Sequence, residues 1–96
     1  MGEFAVIYRW RVEPEAEAAF RKRWHEGTER LKELGGLGSC LCREADSTFL
    51  AFARWPSEET RAAAFGGSAP SEWPGVTYLG ETKLLVEDDL LIGPRR

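Results

Sequence analysis

Two aromatic side chains with polar tips, Tyr8 and Trp55, are the residues of this chain best suited to chemistry. Each carries one hydrogen-bond donor on a large apolar body, so each can pack against an aromatic ligand and donate to an oxygen on it. Trp55 ends an apolar run that begins at Thr48 and is followed by Pro56-Ser57-Glu58-Glu59. Proline has no N–H for a central ladder and stops the strand. Ser57 can cap the first free amides of a helix, and the two acids sit at the positive end of its dipole. The indole is thereby held at a strand-to-helix corner, at the rim of the layer between sheet and helices. Tyr8 falls in the same layer, because Phe4, Val6, Tyr8, Trp10 and Val12 alternate with Ala5, Ile7, Arg9 and Arg11 as on a strand. Trp24, Phe65 and Phe20 would complete an apolar lining from the helices. Tyr8 and Trp55 would also serve as ordinary core aromatics.

Other chemistries find little support. His25 is the single histidine, so imidazole metal clusters cannot form, and Cys40-x-Cys42 without further nearby ligands does not make a zinc site. No metal is expected. His25 follows Trp24 and lies about 100° around the helix from the apolar stripe, which suits a solvent-facing or dimer-rim position better than a proton shuttle. The chain has no Gly-x-Ser-x-Gly elbow, and spacing implies no acid partner for His25, so a hydrolase triad is unsupported. Gly35-Gly36-Leu37-Gly38 comes after a helix and before a strand, the reverse of a phosphate-binding order, and is a helix stop.

The elements that must position these residues follow from the same patterns. Residues 4–12 form a first strand. Glu13-Pro14-Glu15 opens a helix whose stripe is Ala16, Phe20, Trp24, Thr28, Leu31 and Leu34. Residues 38–44 and 48–55 read as a hairpin around Ala45-Asp46-Ser47, residues 57–65 as a short second helix closed by Gly66-Gly67, and residues 77–87 as a fourth strand. The segment 66–75, rich in Gly, Ser and Pro, reads as a loop packed by Trp73. The order β-α-β-β-α-β predicts an α+β, ferredoxin-like domain with a four-stranded antiparallel sheet and both helices on one face. Ile7, Arg9, Leu50, Phe52, Arg54, Cys40 and Cys42 then share a bare face, and an apolar face of that size is expected to pair with a second copy.

Ninety-six residues suit one domain spanning residues 1–96, with the tail from about residue 88 as a candidate dimer arm. A chain this short buries only about 60 to 65% of its unfolded surface, which also favours a homodimer through the sheet face. The formal net charge is -3, with no basic cluster, so neither nucleic acid nor a membrane surface is an expected partner. The N-terminus lacks the basic region of a signal peptide, and no run reaches the roughly eighteen apolar residues of a membrane span. A cytoplasmic location is expected, with both cysteines reduced and buried.

The strand Phe4-Ala5-Val6-Ile7-Tyr8-Arg9-Trp10-Arg11-Val12, the Glu13-Pro14 helix start with Phe20 and Trp24, the Gly35-Gly36-Leu37-Gly38-Ser39 link and the Ala53-Arg54-Trp55-Pro56-Ser57 corner resemble the antibiotic biosynthesis monooxygenase family of dimeric α+β barrels. The likeness covers roughly residues 4–65. It implies two protomers joined by their bare sheet faces and a pocket between sheet and helices beside the corner tryptophan, the position of Trp55. Family members include cofactor-independent oxygenases of polyketide aromatics and haem-degrading enzymes. The haem degraders carry an asparagine on the first strand, where this chain has Tyr8, and a histidine after the second helix, where it has none. Some aromatic oxygenases carry an asparagine four residues before the tryptophan, where this chain has Ala51.

The resemblance therefore points to a cofactor-independent monooxygenase of a small aromatic or quinone-like substrate, with Trp55 and Tyr8 as catalytic donors, Trp24, Phe65 and Phe20 as substrate-binding residues, and no cofactor. Such an enzyme needs an electron-rich substrate, a dry cavity and donors that stabilise its enolate or phenolate. Its rival is a non-catalytic dimeric ligand-binding or stress-related module of the same fold, which Ala51 favours. RNA binding on an open sheet shares the element order. The acidic net charge opposes it.

Overall fold

The structure, a computed structural model, describes residues 3–45, 47–66 and 74–90. Strand β1 spans Phe4–Val12, and helix α1 spans Glu17–Glu33 after a 3-10 turn at Pro14–Ala16. Strands β2 (Gly38–Ala45) and β3 (Thr48–Trp55) form the hairpin, helix α2 covers Glu58–Phe65, and β4 covers Val76–Leu85. The four strands make one antiparallel sheet in the order β2-β3-β1-β4. This is the ferredoxin-like α+β arrangement predicted from the element order. The loop residue Trp73 lies outside the described residues.

Local chemistry sets the boundaries. The Ser57 side chain accepts from the Thr60 amide at 3.1 Å, the expected cap of α2, and Gly66 closes that helix in the left-handed region. Gly35 leaves α1 with φ +113°, and a Cβ there would lie 2.8 Å from Cγ2 of Thr60. The position therefore excludes a side chain on two grounds. Leu34, assigned to the apolar stripe, is 46% exposed, because it falls at the C-cap where the helix leaves the sheet.

The core lies between sheet and helices in two clusters. Phe4, Val6, Ala53 and Trp55 pack with Tyr8, Leu31, Ala64 and Phe65 at one end. Val12, Phe20, Phe49 and Val76 pack with Trp10, Ala16 and Leu41 at the other. On the opposite face the strand register aligns rows of residues across the sheet. Cys40, Phe52, Ile7 and Thr82 form one row, and Cys42, Leu50, Arg9 and Gly80 the next. No helix of the described residues covers these rows, so Cys40 and Cys42 are free and exposed rather than buried as expected. Their sulfurs stand 3.8 Å apart.

Strand β4 holds a bulge that the sequence pattern had not indicated. Its register against β1 shifts between Arg9, paired with Gly80, and Trp10, paired with Tyr78, leaving Leu79 as the extra residue. Gly80 sits at φ +118°, where an L side chain is strained although no atom lies within 4 Å of its would-be Cβ. The bulge changes the parity of the strand. Tyr78 and Glu81, three residues apart, both reach the helix-covered face. Gly80→Ala is expected to cost about 1 to 2 kcal/mol from backbone strain alone, read as a lowered midpoint in urea unfolding.

Candidate functional site

A cavity of about 470 Å³ opens between the sheet and α1, reaching α2 at the Trp55 corner. Tyr8, Trp55, Trp24, Phe65 and Phe20 all line it, so the structure brings together the five residues singled out from sequence. Thr28, Leu31, Gly36 and Ala53 extend the mostly apolar wall. Trp55 is 2% exposed, with its ring centroid 5.9 Å from that of Phe65. Phe20 is equally buried and meets Trp10 edge-on at 5.1 Å. His25 does not line this cavity; it is exposed on α1, as its offset from the apolar stripe requires.

The polar end of the cavity is built around Tyr8 by residues that periodicity did not reveal. Arg61, one turn into α2, donates from Nε to the Tyr8 hydroxyl oxygen at 2.9 Å. Its Nη2 donates to both oxygens of Glu81 at 3.0 Å, and the Tyr78 hydroxyl donates to Oε1 of Glu81 at 2.6 Å. Arg61 also lies over the rings of Tyr8 and Phe65, 5.5 and 5.0 Å from their centroids. Glu81 can take part only because the bulge turns it to this face. A glycine inside the strand was the available signal.

Trp55 presents the other polar atom. Among the described residues its buried indole Nε1 has no hydrogen-bond partner, though the N–H is near enough to the Tyr8 oxygen to ease that phenol's ionisation slightly. A buried N–H without a partner forfeits about 1 to 3 kcal/mol. An acceptor oxygen on a ligand would recover it.

Electrostatics keep both phenols protonated. Burial pushes the Tyr8 hydroxyl above the usual tyrosine range, against the opposing pull of Arg61. Tyr78 is also driven upward, by burial and then by its hydrogen bond to the Glu81 carboxylate. These are the two tyrosines of the chain. Because the folded state holds their protons more tightly than the unfolded chain, the stability they contribute is present below about pH 10 and is lost as pH rises through the folded values. In alkaline titration, tyrosinate absorbance should therefore appear above the usual pH of about 10 and in step with loss of near-ultraviolet dichroism. Ordinary ionisation of either tyrosine in the folded protein would contradict this.

On the far side of the strand corner, Arg54 is ion-paired with Glu3 and Asp89, so the chain beyond β4 returns to the edge of the bare face. Ala51, fully buried, pairs with Tyr8 across the sheet and brings no polar group to that row. Among the described residues, no three His, Cys, Asp or Glu side chains are grouped to hold a metal ion, and no helix is long and apolar enough to cross a membrane.

Known proteins share this architecture. A family model described as antibiotic biosynthesis monooxygenase matches residues 3–69. A cofactor-independent oxygenase from Streptomyces nogalater superposes with a TM-score of 0.74 at 18% identity, over 96% of this chain and 100% of that one. A heme-degrading protein from Mycobacterium tuberculosis gives 0.69 at 20% identity, over 98% and 100%. A protein of unknown function from Nitrosomonas europaea gives 0.68 at 18%, over 98% of each chain. At these identities the likeness shows the fold alone. No curated protein matches the chain in sequence.

Proposed function

The chain belongs to the antibiotic biosynthesis monooxygenase family, and from that premise we propose that it is a cofactor-independent monooxygenase of a small hydroxyaromatic or quinone-like substrate held in the cavity beside Trp55. The observation that carries this reading is the buried, unpartnered indole N–H of Trp55 beside the Tyr8 phenol, on the wall of a mostly apolar cavity. Two donors there suit one ring oxygen, and the aromatic wall suits the ring.

The chemistry balances without an external reductant. A phenol with a free para C–H gives its O–H proton to solvent before it is enclosed, the ring carbon adds oxygen as a peroxide, and loss of the C–H proton then breaks the O–O bond. One oxygen atom stays as a quinone carbonyl and the other leaves as water, with all electrons drawn from the substrate. Tyr8 and Trp55 hold the ring in its anionic, oxygen-reactive form, while Trp24, Phe65 and Phe20 exclude water. Oxygen uptake by the purified protein over a panel of hydroxyaromatics, without added metal or flavin, tests this. Uptake no faster than in protein-free controls for every member sinks it. Ala51 favours the second reading, a binding module that keeps the cavity without turnover, since some aromatic oxygenases of the family place an asparagine there.

Haem chemistry does not fit these residues. The one histidine, His25, lies outside the cavity wall, both cysteines sit on the opposite face of the sheet, and burial opposes ionisation of Tyr8. Haemin titration should give no stoichiometric histidine-ligated Soret band. A biliverdin-like product would refute this exclusion.

We also assign the bare sheet face to a homodimer. Ile7, Leu50 and Phe52 are only partly covered there, and Leu84, which shares a row with Ala5 and Arg54, is 37% exposed. Free, exposed thiols suit a reducing, cytoplasmic compartment.

A further inference from the structure

We propose that the cavity selects its ligand as the oxyanion, an acidic hydroxyaromatic that arrives already ionised, with Arg61 as the positioning residue that directs the Tyr8 proton toward it. The inference rests on the proposed use of the cavity and not on oxygen chemistry.

The donors and acceptors at this end of the cavity are unequal in number. The Tyr8 oxygen accepts from Arg61 at 2.9 Å, so the phenol's remaining role is to donate its single O–H. Both oxygens of Glu81 accept from Arg61, and one also accepts from Tyr78. The carboxylate is therefore engaged and is not a free base. Trp55 Nε1–H can only donate, whereas the buried Ser39 hydroxyl, also without a partner among the described residues, can donate or accept. Beside the Arg61–Glu81 pair, the two groups left to meet a ligand oxygen, the Tyr8 O–H and the Trp55 N–H, are both proton donors.

Charge points the same way. The charged residues lining the cavity are Arg23, Lys32, Arg54, Arg61 and the single carboxylate Glu81. Arg54 is paired with Glu3 and Asp89 on the other face, and Arg61 is matched by Glu81. Lys32, on α1 at the cavity's side, is paired with Glu29 at 3.9 Å, and Arg23 on the same helix is engaged as well. A neutral phenol would bring its own proton to a set of donors and leave one of them unpaired. Its anion can accept from both Tyr8 and Trp55.

The test uses two coloured probes whose absorbance reports ionisation directly, 4-nitrophenol and 2-hydroxy-1,4-naphthoquinone. Spectra of each, free and bound, are recorded across pH. The bound pKa is expected to fall by about one unit, which corresponds to about tenfold tighter binding of the anion. The shift should be largely lost in Tyr8→Phe. The double variant Arg61→Met/Glu81→Gln, which removes the pair without changing net charge, should shrink it while circular dichroism stays unchanged; a merely structural Arg61 predicts the full shift there. An unchanged or raised bound pKa, or failure of both probes to bind, overturns the proposal. Anion selection without oxygen uptake upholds it and refutes only the oxygenase reading.

Discussion

Trp55→Phe is expected to fold and to turn over its best hydroxyaromatic substrate about a hundredfold or more slowly than the parent, a loss on the order of 2 to 4 kcal/mol of transition-state stabilisation. Phenylalanine keeps an aromatic body at the corner, against Phe65 and Leu31, and removes the N–H. Since that N–H has no partner among the described residues, its removal orphans none of their groups, and stability should hold or rise slightly. Tyr8→Phe makes the same test from the neighbouring strand, with one difference. It leaves Arg61 Nε without its acceptor while Nη2 remains on Glu81, so a modest loss of stability should accompany the loss of rate. Two donors on one oxygen act together, and the double variant should lose less than the product of the single effects. Unchanged kcat in both single variants, with the cavity intact, would reduce Tyr8 and Trp55 to packing residues.

The contrast between these residues and their partners shows where sequence reading stops. The corner of Trp55 was legible because three local signals coincide there: an alternating apolar strand, a proline that ends it and a serine that caps the next helix. Tyr8 was legible as one member of an alternation that places it under the helices. Arg61 was not. On a short helix rich in alanine and charge it reads as a solvated side chain, and its partners lie 53 and 20 residues away. No local period encodes such contacts. Glu81 was hidden further by the bulge, since plain alternation puts Tyr78 and Glu81 on opposite faces. Only the positive φ at Gly80 brings them together. The cysteines teach the converse. Their face was legible from parity, but burial is a property of what covers a face, and no helix of the described residues covers this one.

That uncovered face gives the second large effect. Phe52→Lys is expected to convert a homodimer to a monomer, seen by sedimentation as a halving of mass at micromolar concentration. Phe52 lies at the middle of its row, between Cys40 on β2 and Ile7 on β1, with Leu50 on the same face. In a face-to-face pairing of two sheets about 10 Å apart, a lysine there would bring its ammonium into an apolar layer. An unpaired buried charge costs several kcal/mol, and the two-fold places one from each protomer. In the separated chain the same lysine reaches water at little cost, so the monomer should retain its secondary structure. The variant thus reads association with little contribution from folding. Arg9→Lys on the next row, where Arg9 is paired with Glu44 at 3.2 Å and already half in water, is the control and should leave the mass unchanged. If the parent itself sediments as a stable monomer at micromolar concentration, the sheet face is not the interface.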